Sequence, residues 1–279
     1  MIAVIGAGTM GHGIAQVAAF VGYTVILRDV DTESLEKGIR AIERNLEKGI
    51  KIGKLTENER DKTLQYIRGT THLEETAKAD LIIEAVPENL ELKQEILREV
   101  EKEGNDFIFA TNTSSLSITE IARASNRPGN VVGMHFFNPV HIMRLVEVVV
   151  GKETKQEVVA SVLEVVRRMR KDPITVRDVP GFASSRLGIA LGLEAMRMVE
   201  QNVASPEDID KAMELGYNHP MGPLKLTDHV GLDVRLSIAE YLYRTLGSEN
   251  FRPPEILRKM VSEGKLGKKT GEGFYRWDD

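Results

Sequence analysis

Three glycines near the start of the chain have a spacing that suits phosphate binding. Gly6, Gly8 and Gly11 form a G-x-G-x-x-G pattern between an apolar run, Ile2–Ile5, and an Ala-rich run. Gly6 allows a sharp turn out of a strand, the missing Cβ of Gly8 lets a pyrophosphate approach the backbone, and Gly11 permits close helix packing. The N-terminus of the following helix would offer free N–H groups and a partial positive charge. The residues expected to hold the phosphates are those of the turn: Gly6, Gly8, Thr9, Met10 and Gly11.

An acidic residue after the next apolar run indicates which dinucleotide would bind. Residues 24–28 read as a second strand, and Asp29 stands at its end. A carboxylate there would accept hydrogen bonds from the two ribose hydroxyls and repel a 2′-phosphate, which favours NAD over NADP. The alternative is a tight strand-to-helix turn in another α/β protein. The order strand, turn, helix, strand, acid favours dinucleotide binding.

A histidine and a glutamate form the second candidate for chemistry. His135 lies near the end of an apolar run, and Glu147 interrupts the apolar run 145–150. A buried carboxylate is costly unless it is paired, and a neighbouring imidazole would supply the partner. The carboxylate would then fix the ring tautomer and stabilise the imidazolium. The alternative places Glu147 on a solvent-facing edge strand, and the spacing alone leaves both interpretations open.

The patterns around these residues predict a doubly wound α/β sheet. Strands are predicted near 2–5, 24–28, 67–72, 80–86, 107–110, 131–136, 145–150 and 174–176. Ligands of such sheets lie outside the carboxyl ends of the strands. The polar residues expected to gather at that edge are Asp29, Glu88, Thr111 to Ser115 and His135.

Two helices are predicted between the second and third strands, over 32–67. Thr32 is expected to cap the first helix, and Gly49 and Gly53 are expected to end it. Thr56 begins a capping box for the second helix. The pair is longer than an ordinary crossover, so we expect an arm that projects from the sheet.

The C-terminal third of the chain is predicted to be helical. Helices are expected near 184–202, 206–215, 231–247 and 253–264, with no strand pattern of useful length. The predicted organisation is therefore a Rossmann-like domain, 1–183, followed by a smaller all-α domain, 184–279.

Composition excludes several classes of protein. The 279 residues include no cysteine, which rules out disulfides, thiolate metal sites and cysteine nucleophiles. No cluster has metal-ligand spacing, so no metal is expected. The net charge of −5 and the lack of a basic stretch argue against a nucleic-acid partner. No apolar run approaches the ~20 residues of a membrane span, and the strand at Ile2 leaves no room for a signal peptide, so a cytoplasmic location is expected.

Longer motifs follow one another along the chain. They are TNTSSL at 111–116, GMHFFNP at 133–139, LVEV at 145–148, DVPGF at 178–182, PMGP at 220–223 with Asp228 and GLD at 231–233, and GKKTGEGFY at 267–275. From Ile2 to Tyr275 the sequence resembles the 3-hydroxyacyl-CoA dehydrogenase family, most closely its short stand-alone members that include 3-hydroxybutyryl-CoA dehydrogenase.

The resemblance implies reversible oxidation of a short-chain (S)-3-hydroxyacyl-CoA to the 3-oxoacyl-CoA with NAD. His135 would be the general base, Glu147 its orienting carboxylate, and Ser114 a hydrogen-bond partner of the substrate oxygen near C3. Further contacts implied by position are Asp29 to the adenosine ribose, Glu88 and Lys93 near the nicotinamide half, and Asn138 near both cofactor and substrate.

The resemblance also implies a homodimer built through the helical domain and an acyl-CoA-contacting role for the arm. The family's specific CoA residues do not carry over, since Ile42 and Gly49 occupy the aligned positions. Ser185 stands where the family commonly has Asn. Its shorter hydroxyl could still bond the thioester region through a water, so we count Ser185 among the catalytic and substrate-binding candidates.

Each alternative function would require particular catalytic residues in the sequence. β-Hydroxyacid dehydrogenases resemble one another in a catalytic Lys on the helix after the linker, but residues 184–202 contain no Lys. A free hydroxyacid dehydrogenase on the same scaffold and a non-catalytic NAD-binding protein are the remaining alternatives. The presence of His135, Glu147 and Ser114 argues against the non-catalytic protein.

Overall fold

The computed structural model describes residues 1–104 and 106–277. The chain divides into two compact units, Met1–Val179 and Pro180–Asp279. Among the described residues, no helix is both long enough and apolar enough to cross a membrane.

The first unit contains one eight-stranded sheet. Its strands are β1 (Ile2–Ile5), β2 (Val25–Arg28), β3 (Ile67–Thr70), β4 (Leu81–Glu84), β5 (Ile108–Thr111), β6 (Val131–Phe136), β7 (Leu145–Val150) and β8 (Asp172–Arg177). They lie in the order β3-β2-β1-β4-β5-β6-β7-β8. All neighbouring pairs are parallel except β6 and β7, so β7 and β8 run against the other six. The predicted Rossmann-like sheet is confirmed, and the antiparallel step is an addition to it.

In the described part of this unit, six α-helices accompany the sheet. They are α1 (Gly11–Phe20), α2 (Thr32–Lys51), α3 (Glu57–Gln65), α4 (Leu90–Glu101), α5 (Ile118–Ala122) and α6 (Gln156–Arg168). The core forms where their apolar stripes meet the strands. On α2 the stripe is Leu35, Ile42 and Leu46, and all three side chains are buried.

The start and the end of α2 differ from the prediction. Asp31, one residue before Thr32, is the N-cap, and its Oδ1 accepts a hydrogen bond from the Ser34 N–H at 2.8 Å. Thr32 was the wrong choice because the carboxylate before it makes the capping bond. The helix also continues through Gly49, whose bare Cα leaves room for the side chain of Leu55.

The capping box predicted for α3 is confirmed. The Glu59 N–H donates to Thr56 Oγ1 at 3.2 Å, and the Thr56 N–H donates to Glu59 Oε2 at 2.8 Å. The helix itself ends at Gln65, two residues before the predicted end, because Ile67 begins β3.

The second unit is helical. Its helices are α7 (Ser184–Glu200), α8 (Pro206–Gly216), α9 (Pro223–Val230), α10 (Leu232–Leu246) and α11 (Glu255–Ser262). The sequence analysis missed α9, which has only eight residues. Its first N–H groups, at Leu224 and Lys225, donate to the Asp210 carboxylate of α8, each at 2.8 Å. A cap supplied by a different helix leaves no local sequence signal.

Asp228 in α9 fastens the C-terminal segment of this unit. Its buried carboxylate accepts hydrogen bonds from the N–H groups of Phe274 and Tyr275, each at 2.9 Å, and from Trp277 Nε1 at 2.8 Å. A Cβ at Gly273 would lie 2.3 Å from Asp228 Oδ1, so only glycine fits there. Asp228, noted among the sequence motifs, therefore has a structural role within the second unit.

Candidate active site

The glycine turn forms one wall of a cleft of about 950 Å³ at the carboxyl ends of β1, β2 and β4. Gly6 has a φ of +98°, and a Cβ on Gly11 would lie 1.7 Å from the Gly6 carbonyl oxygen, so α1 can start there only with glycine. Nothing lies within 4 Å of the Cβ position of Gly8, which leaves that backbone open to a ligand. Thr9, Met10 and the other turn residues except Gly11 line the cleft.

Asp29 lines the same cleft and also holds the turn in place. Its Oδ2 accepts a hydrogen bond from the Ala7 N–H at 2.6 Å, and its Oδ1 accepts one from the Val30 N–H at 2.6 Å. The carboxylate thus links the end of β2 to the glycine turn. Any contact to a ribose would come in addition to these bonds.

Beside the cleft lies a buried acid–base pair that the sequence analysis did not foresee. Glu84, at the end of β4, and Lys93, on α4, are both fully buried, and Lys93 Nζ donates to Glu84 Oε1 at 2.7 Å. Glu84 also accepts hydrogen bonds from the Val86 N–H and Thr111 Oγ1, each at 2.7 Å. The sequence signal is the same as for Glu147, an acid within an apolar strand, but the partner lies nine residues later on a helix, where the strand pattern does not indicate it. In this structure Lys93 contacts protein groups, and its predicted cofactor contact stays a prediction.

Glu88 organises the polar segment that follows β5. Its Oε1 accepts hydrogen bonds from Thr113 Oγ1 at 2.6 Å, from the Ser114 and Ser115 N–H groups at 3.0 Å each, and from Ser115 Oγ at 2.9 Å. Burial acts to raise the pKa of Glu88, but the bond from Thr113, the charge of Lys93 and the bonds from Ser115 outweigh it and lower that pKa. A charged Glu88 therefore holds the backbone of Ser114, whose side chain is exposed.

The second predicted pair, His135 and Glu147, lies across the antiparallel step of the sheet. The two residues are direct partners in the β6–β7 register, so their side chains project from the same face. His135 Nδ1 lies 2.8 Å from Glu147 Oε2. Glu147 is fully buried and β8 covers the outer edge of its strand, so the solvent-facing edge alternative is wrong.

The surroundings of His135 fix its backbone and its ring. The N–H of Phe136 donates to Asn112 Oδ1 at 2.9 Å, which joins the end of β5 to β6 beside the histidine. The His135 ring packs against the ring of Phe137 with centroids 4.5 Å apart. Asn138, three residues after His135, is exposed. Asn112 was not singled out from the sequence, since an amide in a polar run gives no sign of its partner.

A second cleft of the first unit, about 940 Å³ in volume, lies beside the arm, and we call it the basic cleft. Its cationic lining residues are Lys48, Lys51, Lys54, Arg144, Arg170 and Lys171. Burial and, next, the charge of Lys171 lower the pKa of His141, another lining residue. Gly49 lines this cleft, whereas Ile42 is fully buried.

Ser185 belongs to the second unit, where it is the second residue of α7 and is half-buried. Among residues 1–104 and 106–277, no group of three His, Asp or Glu side chains is arranged to hold a metal ion.

Comparison with known proteins identifies the relatives of the chain. Residues 1–179 match the NAD-binding domain of 3-hydroxyacyl-CoA dehydrogenase, and residues 181–277 match the C-terminal domain of the same family. A probable 3-hydroxybutyryl-CoA dehydrogenase of Deinococcus radiodurans is 46% identical over 278 residues, which is 98% of this chain and 99% of that protein. A Bacillus subtilis protein of the same description is 45% identical, over 100% of this chain and 97% of its own. The crystal structure of (S)-3-hydroxybutyryl-CoA dehydrogenase from Ralstonia eutropha has a TM-score of 0.96 at 41% identity and covers 100% of this chain and 99% of that one.

Proposed function

Because the chain belongs to the 3-hydroxyacyl-CoA dehydrogenase family, we propose that it interconverts short-chain (S)-3-hydroxyacyl-CoA and 3-oxoacyl-CoA, with 3-hydroxybutyryl-CoA as the type of substrate. The relatives named above carry that substrate in their descriptions. The observation that carries the proposal is the buried His135–Glu147 pair, because an oriented imidazole is the group that a hydroxyl-to-ketone reaction needs.

The first cleft fits NAD. The open backbone at Gly8 and the N-terminus of α1 suit a pyrophosphate, and Asp29 stands where a ribose hydroxyl would be recognised. Bound NAD supplies the acceptor of the hydride that leaves C3. Since Asp29 would repel a 2′-phosphate, kcat/KM with NADH should greatly exceed that with NADPH. Comparable values for the two cofactors would overturn this assignment of Asp29.

His135 is the proposed general base and acid. In the oxidative direction a neutral His135 takes the proton of the 3-hydroxyl as the hydride leaves C3, and in the reductive direction the imidazolium returns it. Glu147, held against Nδ1, orients the ring and stabilises its cationic form. Acid–base help of this kind contributes about 10²–10⁴ in rate.

Glu88 and Ser114 complete the proposed machinery in the first unit. The Ser114 hydroxyl is assigned to the substrate oxygen near C3, and Glu88 sets the backbone from which that hydroxyl projects. Asn138 is assigned to substrate and nicotinamide contacts, Lys93 to the nicotinamide side through Glu88, and Ser185 to the thioester. These roles follow from the motifs, together with the contacts described above.

The basic cleft is our candidate for the nucleotide end of the acyl-CoA. Its lysines and arginines match the phosphate groups of CoA in charge, and its lining includes apolar side chains such as Phe20 and Leu55. Replacing Lys51 by Glu should raise KM for acetoacetyl-CoA and leave KM for NADH unchanged. An unchanged KM for acetoacetyl-CoA would place CoA elsewhere.

We also propose a homodimer formed through residues 184–279. The second unit carries large apolar side chains that are mostly exposed, Leu187, Leu215 and Tyr217. Large apolar side chains that are exposed in a single chain lose contact with water when a second copy packs against them. Light scattering at micromolar concentration should give twice the mass of the chain, and a monomer would refute the proposal.

A turnover assay tests the function as a whole. Acetoacetyl-CoA should oxidise NADH at a rate that depends on the enzyme, whereas free 3-hydroxybutyrate with NAD should not react. Turnover of the free acid alone would favour a free hydroxyacid dehydrogenase, and NADH binding without turnover of either substrate would favour a non-catalytic NAD-binding protein.

A further inference from the structure

The connection between β6 and β7, residues 137–144, joins the two strands that carry His135 and Glu147. The N–H groups of Ile142 and Met143 both donate to the Pro139 carbonyl at 2.9 Å, so the connection has its own compact turn. Asn138 lies just before this turn. Any movement of the connection would therefore displace Asn138 and the ends of both strands.

One buried lysine donates hydrogen bonds to this connection. Lys171, directly before β8, is 6% exposed, and its Nζ donates to the Val140 carbonyl and, at 2.8 Å, to the Met143 carbonyl. Within the described ranges no carboxylate forms an ion pair with it. Burial lowers the pKa of Lys171. A buried ammonium is costly unless its donors are satisfied, and here the satisfying acceptors are the two carbonyls of the connection.

The connection also contacts α1, the helix that begins at the glycine turn. Val140 is 2% exposed, and a Cβ at Gly13 of α1 would lie 2.8 Å from Val140 Cβ. Val140 thus contacts α1 through its side chain and Lys171 through its carbonyl.

We propose that Lys171 is a positioning residue for the reaction. Lys171 lines the basic cleft assigned above to CoA, but its Nζ donates to the carbonyls of the connection, and the role proposed here acts through them. Lys171 orients residues 139–143 through their carbonyls, and through them Asn138 and the His135–Glu147 pair. The catalytic part of this inference rests on the function proposed above.

The test compares Lys171→Met, Lys171→Gln and two controls in the full-length protein. Lys171→Met keeps the stem but removes every donor, so kcat with acetoacetyl-CoA should fall by about 10- to 100-fold, as expected for a small misplacement of reacting groups. A rise in KM for acetoacetyl-CoA with kcat unchanged would instead assign Lys171 to CoA binding and overturn the proposal. Lys171→Gln can still donate two hydrogen bonds, so it should recover part of that loss. The NADH dissociation constant should change by less than about threefold, because the predicted cofactor contacts lie at the glycine turn and Asp29.

The controls separate positioning from stability. Val166→Ala removes buried atoms from α6 in the same core, and Glu157→Gln breaks an exposed ion pair with Lys155 at the start of that helix, away from the basic cleft. Val166→Ala should lower Tm without changing kcat per folded molecule, and Glu157→Gln should leave kcat unchanged. Lys171→Met losing Tm like Val166→Ala while keeping the wild-type kcat would overturn the proposal.

A second readout does not depend on turnover. Amide hydrogen exchange at Ile142 and Met143 should be faster in Lys171→Met than in wild type or Val166→Ala, measured on the free protein. Unchanged exchange would overturn the inference about Lys171 whatever the activity. If the wild type fails to use acetoacetyl-CoA, the proposed function fails, and the exchange result alone still decides whether Lys171 holds the connection.

Discussion

Two strands of the first unit each carry a buried glutamate paired with a basic side chain, and the two pairs differ in what the basic member can do. Glu84 with Lys93 and Glu147 with His135 both join a fully buried carboxylate to a nitrogen, at 2.7 and 2.8 Å. Lysine is charged throughout the neutral range, whereas imidazole gains and loses its proton there. Burial of the carboxylate is therefore compatible with a permanent ion pair at Glu84–Lys93 and with a proton-transfer group at Glu147–His135.

The surroundings of the two pairs follow this difference. Glu84 lies at the carboxyl end of a parallel strand and accepts further bonds from Thr111 and the Val86 N–H. Glu147 lies on β7, directly opposite His135 on the antiparallel strand β6. The side chain of His135 is 9% exposed. The candidate catalytic pair therefore differs from the structural one in two ways: its basic side chain exchanges a proton near neutral pH, and that side chain has some access to solvent.

The largest expected effect is that of His135→Gln. Glutamine cannot take the hydroxyl proton, so kcat should fall by at least about 10³-fold. NADH should still bind, as measured by fluorescence titration, because the predicted cofactor contacts lie elsewhere. Turnover within tenfold of the wild type would contradict the assignment.

The pH dependence gives the sign of the same effect. Oxidation of the hydroxyacyl-CoA needs neutral imidazole and should rise with pH, whereas reduction of the oxoacyl-CoA needs imidazolium and should fall. Both limbs should flatten in His135→Gln. Limbs of the same sign in both directions would mean that another group moves the proton.

Glu147→Gln should lower kcat by about 10²–10⁴-fold with little change in KM, because the imidazolium loses its stabilising charge. Thermal unfolding of the variant must be followed in parallel to confirm that it is folded. A nearly silent substitution would place Glu147 with the structural pair.

Lys93→Met should affect stability first. It leaves Glu84 buried without its cation, which costs about 3–5 kcal/mol of unfolding free energy. The double variant Lys93→Met/Glu84→Gln removes both charges and should recover much of that loss in urea unfolding. Equal losses in the single and double variants would show that the charge pair does not set the stability.

The smallest effect is expected for Thr111→Val, which removes one donor to Glu84 at constant shape. The expected cost is about 1.5–3 kcal/mol in unfolding free energy, the range for a hydrogen bond to a charged group. The control is kcat, which should change less than about threefold, because Thr111 serves the structural pair. A tenfold fall in kcat in a folded variant would assign the Glu84 pair to the chemistry and remove the distinction between the two pairs.

Strong local patterns were sufficient for most of the fold. Strands were predicted near all eight strands of the described sheet, and most of these are short apolar runs, whereas β3 and β8 contain only isolated apolar residues. The glycine spacing predicted the turn between β1 and α1. The reversal between β6 and β7 was not predicted, although the chain length between them carries the signal. Only eight residues separate these strands, too few for the dozen or more that a parallel crossover needs.

The features that escaped prediction depend on partners far along the chain. The α9 helix is capped by Asp210, and Lys93 finds Glu84 only after α4 packs on the sheet. The Asp31 cap was missed for a different reason, since two adjacent residues of capping type compete at that position. At the candidate site the His135–Glu147 contact followed from an acid in an apolar run, but the roles of Asn112 and Lys171 required the assembled connection.

The two candidate sites also differ in when they can form during folding. His135 and Glu147 are 12 residues apart, whereas the cofactor cleft needs β1 to pair with β4, where residue 2 meets residue 81. Closing the longer loop costs more chain entropy, and parallel pairing is slow. Pulse-labelled amide exchange should therefore show β6–β7 protected before NADH fluorescence returns on refolding, and the reverse order would contradict this. NAD binds only chains whose sheet is complete, and this binding stabilises the folded state. The supply of cofactor would therefore set how much of the newly made protein persists in the folded state.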